Sequence, residues 1–180
     1  MKAQNLGLGL LTAAIATAIP LSQCMAATGT GTINATITLE QGCTVNSGNS
    51  SSTFGLIGTL DFGTQPTGFD TAETSLSGGG AANGFTINCT NGATANWQVT
   101  GGVNDGSGAQ GTHAMTDSTY FVGYDVYTDA GRTTVLANSS PQSIVADGTP
   151  QAIPLYARAF GDDGLAAGTY ADTLTVQVSW

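Results

Sequence analysis

The sequence predicts an all-β protein, an antiparallel sandwich of short strands, and three observations predict it. Apolar and polar residues alternate in segment after segment, at the period of two that gives a strand one apolar face. Turn signals such as Asn91-Gly92 and Asp147-Gly148 punctuate those segments. The composition is wrong for helices, because 26 glycines and only 8% charged residues leave little Glu, Lys or Arg to recur at period 3.6. A closed barrel is the second architecture this pattern allows.

In chain order, the first element is a leader. Met1 and Lys2 give a positive start, "LGLGLLTAAIATAI" an apolar core, Pro20 a break, and Ala26 and Ala27 the small residues of a cleavage site. Residues 1–27 therefore read as a secretory signal peptide, removed after Ala26 or Ala27. The apolar run is shorter than the roughly 20 residues a spanning helix needs, so no membrane span is expected in the mature chain. Lipid attachment at Cys24 is disfavoured by the bulky Gln23 before it.

Next comes "TGTGTINATITLE", Thr28 to Glu40, apolar at Ile33, Ala35, Ile37 and Leu39 and polar at every even position. It reads either as an ordinary first strand of its own domain or as a strand made for another molecule. After Cys43, "GFTINCT" aligns Phe85, Ile87 and Cys89, and beyond Asn91-Gly92 "ANWQVT" aligns Ala95, Trp97 and Val99. "TYFVGYDVYT" aligns Tyr120, Val122, Tyr124 and Val126. "QSIVA" and "QAIPLYARAF" flank the hairpin signal Asp147-Gly148, with Ile153, Leu155, Ala157 and Ala159 on one face. Pro154 removes a ladder donor, which puts its strand at an edge or on a bulge. The last segment, "TLTVQVSW", aligns Leu174, Val176, Val178 and Trp180. Loops rich in Gly, Ser and Asn join these segments, and none is long enough to build a second core, so residues 41–180 are expected to form one domain.

Charge and cysteine content exclude several functions. Beyond the leader the only strong bases are Arg132 and Arg158, against twelve Asp and Glu. Such a chain cannot neutralise phosphates, which argues against nucleic acid and anionic membrane surfaces as partners. With Cys24 removed, Cys43 and Cys89 remain in a chain bound for an oxidising compartment, and one disulfide is the simplest account. Two separate reactive thiols would want a CxxC pair or basic neighbours, and neither is present.

Nothing in the sequence assembles a catalytic, cofactor or metal site. His113 is the single histidine, is read as an exposed loop residue, and has no GxSxG elbow to serve. One histidine and a disulfide cannot supply zinc ligands at familiar spacing. "NDGSG" at Asn104 and "GDDG" at Gly161 lack the pattern of an EF-hand and read as Asx-rich turns. "GTGT" at Gly29 lacks the third glycine of a dinucleotide fingerprint.

What remains distinctive is the two alternating ends, because a sandwich needs its sheet edges paired or covered. Here the residues resemble a known family. "TGTGTINATITLEQGCTV", then "LDFGT", "YDVYTDAGRTTV" and the close "GTYADTLTVQVSW" are similar, in that order, to the spore coat protein U domain family, the pilins of archaic chaperone-usher pili. Leu136 stands where an aromatic residue often follows the "RTTV" turn, and the loop near His113 lacks the usual basic residue; both departures are read as details of the surface.

The resemblance implies an incomplete immunoglobulin-like sandwich that lacks its last strand. It implies a periplasmic chaperone that lends a strand, and an outer-membrane usher where the next subunit's N-terminal segment replaces it. Carried onto this chain, the donor strand is residues 28–40, with Ile33, Ala35, Ile37 and Leu39 entering a neighbouring subunit. The acceptor edge carries Leu174, Val176, Val178 and Trp180. Export through the periplasm to a surface pilus, with roles in attachment and biofilm, follows from the same likeness. A different class of function, a secreted monomeric carbohydrate-binding sandwich, would use Trp97, Tyr120 and Tyr127 as a sugar platform; a hydrolase would need His113.

Overall fold

The computed structural model describes residues 27–48 and 53–180. The expected leader up to Ala26, with Cys24, lies outside the described residues, as do positions 49–52 of the serine-rich loop. The chain divides into two units between Thr38 and Leu39. In the first, Ala27–Thr38 belongs to no strand and every residue of it is exposed; Ile33 is 97% exposed and Ile37 81%.

The second unit is all β among the described residues. Its strands are β1 (Cys43–Val45), β2 (Thr59–Leu60), β3 (Thr71–Ser77), β4 (Gly80–Ala81), β5 (Gly84–Cys89) and β6 (Ala95–Gly102). They continue with β7 (His113–Thr116), β8 (Phe121–Tyr127), β9 (Gln142–Ile144), β10 (Gln151–Pro154), β11 (Tyr156–Phe160) and β12 (Leu174–Ser179). One sheet runs β1-β5-β10 with β4 also on β5, a second β2-β3-β11-β8-β7, and a third β12-β6-β9. Every pairing between these strands is antiparallel.

Alternation explains which face each strand buries. Phe85, Ile87 and Cys89 of β5, Ala95, Trp97 and Val99 of β6, and Val122, Tyr124 and Val126 of β8 all point into one core. The Phe85 and Trp97 rings meet edge to face at 5.4 Å, a geometry aromatic quadrupoles favour. Full burial of residues such as Phe85, Ile87, Val99 and Val126 contributes about 1.5–3 kcal/mol each. Cys43 and Cys89 form the disulfide and face each other in the β1–β5 register. Closing that loop stabilises the fold by roughly 4 kcal/mol in the chain-entropy account.

Two turn signals do something other than join paired strands. β9 pairs with β6 and β10 with β5, so Asp147-Gly148 does not close a hairpin. Asn91-Gly92 likewise carries the chain from β5 to β6, which lie in different sheets. Turn residues set a local bend, but the apolar faces of Phe85 and Trp97 meet across the core, and that demand sends the flanks to different sheets. The two turns touch instead, through a 2.7 Å bond from Gly92 N–H to the Ala146 carbonyl. "QAIPLYARAF" is also split. Pro154 ends β10 at a sheet edge, where its missing N–H is tolerated, and buried Leu155 marks the corner at which the chain changes sheets into β11. Leu136, read above as a surface departure, is buried in the core, with its N–H bonded to the Val126 carbonyl at 2.8 Å.

Candidate functional site: an open sheet edge beside an apolar groove

The last strand positions the site. β12 pairs with β6 on one side, with a register irregularity between Thr175 and Val176. Among the described residues its other edge carries no strand. Along that edge runs a groove of about 1200 Å³, lined on the β12 side by Leu174, Val176, Val178 and Trp180. The far wall is Phe54–Leu60 with Phe62, and Met115, Tyr124 and Leu155 also line it. Val178 is buried, Leu174 and Val176 only half-buried, and Trp180 is 44% exposed with its ring 6.4 Å from that of Phe54. An unpaired edge beside half-covered apolar side chains is unfavourable in water, since both the backbone groups and the apolar area remain to be satisfied. It is also what a strand-adding partner completes.

A polar cluster fixes the root of β12. Asp172 accepts the Tyr124 hydroxyl at 2.8 Å, the Val103 N–H at 3.1 Å and the Asn104 side-chain amide at 3.0 Å. Asp105 accepts the Gly102 N–H at 2.9 Å and the Asn138 amide at 2.7 Å, and faces His113 Nδ1 at 2.8 Å. A Cβ on Gly102 would lie 2.5 Å from Asp172 Oδ2 and 2.8 Å from Asp105 Oδ1, so the glycine is what lets both carboxylates converge there. Burial resists ionisation of Asp105, but the bonds from Gly102, His113 and Asn138 outweigh it and hold the carboxyl below its ordinary value. Burial first, then the Asp172 carboxylate, pushes the Tyr124 phenol far above its ordinary value, keeping it a donor.

His113 is thus not the exposed loop residue the sequence suggested. It begins β7, is 1% exposed, and lies against the Tyr124 ring at 5.3 Å between centroids. Its burial depends on Asp105, eight positions back in a glycine-rich loop, and no local pattern announces that pairing. The sugar platform also fails on burial. Trp97 and Tyr127 are core residues, 3% and 4% exposed, and only Tyr120 reaches the surface. Trp97 faces inward because β6 alternates, and its area is worth more against Phe85 than in water.

The two arginines are already engaged. Arg132 and Arg158 both pair with Glu73, at 2.9 and 2.7 Å, and lie over the rings of Tyr156 and Tyr127. No group of three or more His, Cys, Asp or Glu is placed to hold a metal ion among the described residues. No helix among them is long and apolar enough to cross a membrane.

The sequence-named acceptor residues therefore line one groove: Leu174, Val176, Val178 and Trp180. Ile33, Ala35, Ile37 and Leu39, the residues expected from the sequence to act as a donor strand, are all exposed. The far wall, Phe54–Leu60, escaped sequence reading, because "TFGLIGTL" breaks alternation with two glycines.

Fold and site together define a class: an all-β antiparallel domain whose terminal strand keeps one open edge over an apolar groove. The chain belongs to the Spore Coat Protein U domain family, whose model matches residues 29–177. It is also similar to a chain of a solved structure, the crystal structure of the CsuC-CsuE chaperone-tip adhesion subunit pre-assembly complex from archaic chaperone-usher Csu pili of Acinetobacter baumannii. The likeness has a TM-score of 0.47 and 20% identity, and covers 79% of this chain and 40% of that chain. No curated protein matches this chain.

Proposed function

We propose that this chain is a structural pilin of an archaic chaperone-usher pilus, polymerising by donor-strand exchange. Residues 28–40 of one copy, through Ile33, Ala35, Ile37 and Leu39, complete the sheet of the next along Leu174, Val176, Val178 and Trp180. Before assembly a periplasmic chaperone covers the same edge, and an outer-membrane usher is the place of exchange. The product is a cell-surface fibre that serves attachment and biofilm formation. No enzymatic step is part of this role.

The observation that carries the reading is the open outer edge of β12 over an apolar groove, in a chain that also holds an exposed segment of matching alternation. Membership of the family supports it. Burial of Ile33, Ile37 and Leu39 alone does not offset the entropy of ordering the arm. Ladder hydrogen bonds to β12 and the covering of the groove's own apolar residues add the remainder.

The test is electron microscopy of fibres from cells expressing the chain with residues 28–40 deleted, or carrying Ile37→Asp. Both variants should accumulate as chaperone-held monomers without fibres. Fibres of normal length from either one would overturn the reading.

A further inference from the structure

The groove's far wall belongs to no strand between Thr53 and Gly58, yet an incoming strand would have to lie between it and β12. Its C-terminal end is fixed on β3, where Thr59 pairs with Ser77 and the Ser77 hydroxyl donates to the Thr59 carbonyl at 3.1 Å. Gly58 lies flat on that strand; a Cβ there would sit 2.7 Å from the Ser77 carbonyl oxygen. One step further along the wall, the Ile57 carbonyl accepts a 2.7 Å bond from the side-chain amide of Asn46.

We infer that Asn46 is the positioning residue of this wall and sets how firmly an added strand is held, an inference that rests on the assembly reading above. Its side chain is used in both directions. Nδ2 donates to Ile57, while Oδ1 accepts the Thr86 N–H of β5 at 3.1 Å. Its backbone N–H donates to the Thr86 carbonyl at 2.9 Å. The residue follows β1 directly, and β1 is fixed to β5 by the Cys43–Cys89 disulfide. Its φ of +51° lies in the left-handed region that asparagine tolerates better than most side chains. A short amide on a left-handed backbone therefore ties the wall to the disulfide-pinned sheet. Aspartate in its place keeps an acceptor for Thr86 but has no N–H for Ile57. Glycine keeps the backbone geometry and loses both side-chain bonds.

The experiment uses the full chain carrying Ile37→Asp, so that its own arm does not compete, freed of the chaperone that would cover the same edge, and a fluorescent synthetic peptide of residues 28–40. Peptide release is timed by dilution into unlabelled peptide. Asn46→Asp and Asn46→Gly both remove the bond to the Ile57 carbonyl, and each should speed release about fivefold, the effect of that one hydrogen bond; the Thr86 N–H that glycine also releases keeps the Gly79 carbonyl at 3.1 Å. Asp147→Ala is the comparison, because it removes turn bonds to Thr149 and Gln151 outside the groove lining. It should leave release unchanged even where it lowers the urea midpoint as much. Unchanged release in both Asn46 variants, or equal acceleration by Asp147→Ala, overturns the inference. A peptide that fails to bind the Ile37→Asp chain at all overturns the assembly reading, and this inference with it.

Discussion

Ile33–Leu39 and Leu174–Trp180 carry the same pattern, four apolar residues at every second position, and meet opposite fates. The later segment forms β12, shares a ladder with β6 and half-buries its apolar face. The earlier one joins no strand and leaves Ile33, Ile37 and Leu39 more than four-fifths exposed. Alternation therefore specifies readiness to be a strand and leaves the partner open. In β12 the partner on one side is β6, and the open side has the same requirement as the arm. The proposed strand exchange would satisfy both at once.

The largest effect should come from placing one charge in each segment. Val178→Asp puts a carboxylate into a buried position and should cost more than about 3 kcal/mol in urea unfolding. Ile37→Asp, on the arm, should stay within about 0.5 kcal/mol of the unsubstituted monomer. A comparable cost for Ile37→Asp would break the comparison, since it would mean the arm is packed in the free chain.

Next in size is the disulfide. Replacing Cys43 and Cys89 together by alanine should cost about 2–5 kcal/mol in denaturant unfolding. Because β1 holds one side of the groove through Asn46, arm-peptide release should also quicken. A loss of stability with unchanged release would show that the disulfide serves the core alone.

Smaller still, Tyr124→Phe removes one donor from Asp172 at the root of β12 and should cost about 1–2 kcal/mol. A neutral result would mean Asp172 is satisfied by Val103 and Asn104 without it.

The smallest effect is the dependence on acid. The Asp105 carboxyl is held below its ordinary value, so its stabilisation is complete above the unfolded carboxyl's pKa and is lost as pH falls through the folded value. The urea midpoint should decline below about pH 4. Asp105→Asn should lower the midpoint at neutral pH and flatten that decline; an unchanged slope would remove Asp105 from the account.

The strands that bury one face were legible because alternation is local. Phe85, Ile87, Trp97, Val99, Val122 and Val126 all point where period two puts them. The pairing of Cys43 with Cys89 was legible from compartment and count. Partner choice was not legible. Asp147-Gly148 and Asn91-Gly92 resemble hairpin turns, yet their flanks separate because tertiary contacts such as Phe85 on Trp97 decide the sheet. His113 and the groove's far wall were missed for a similar reason. A buried imidazole held by Asp105, and a glycine-broken segment held by Asn46, are contacts distant in the chain that no periodicity encodes.

Amide hydrogen exchange across residues 28–40, measured in the isolated monomer and again in assembled fibres, tests intermolecular strand completion most directly. The arm's amides should exchange freely in the monomer and become protected in the fibre together with those amides of Leu174–Ser179 that are not already bonded to β6. Protection already present in the monomer, or free exchange in both states, would contradict it.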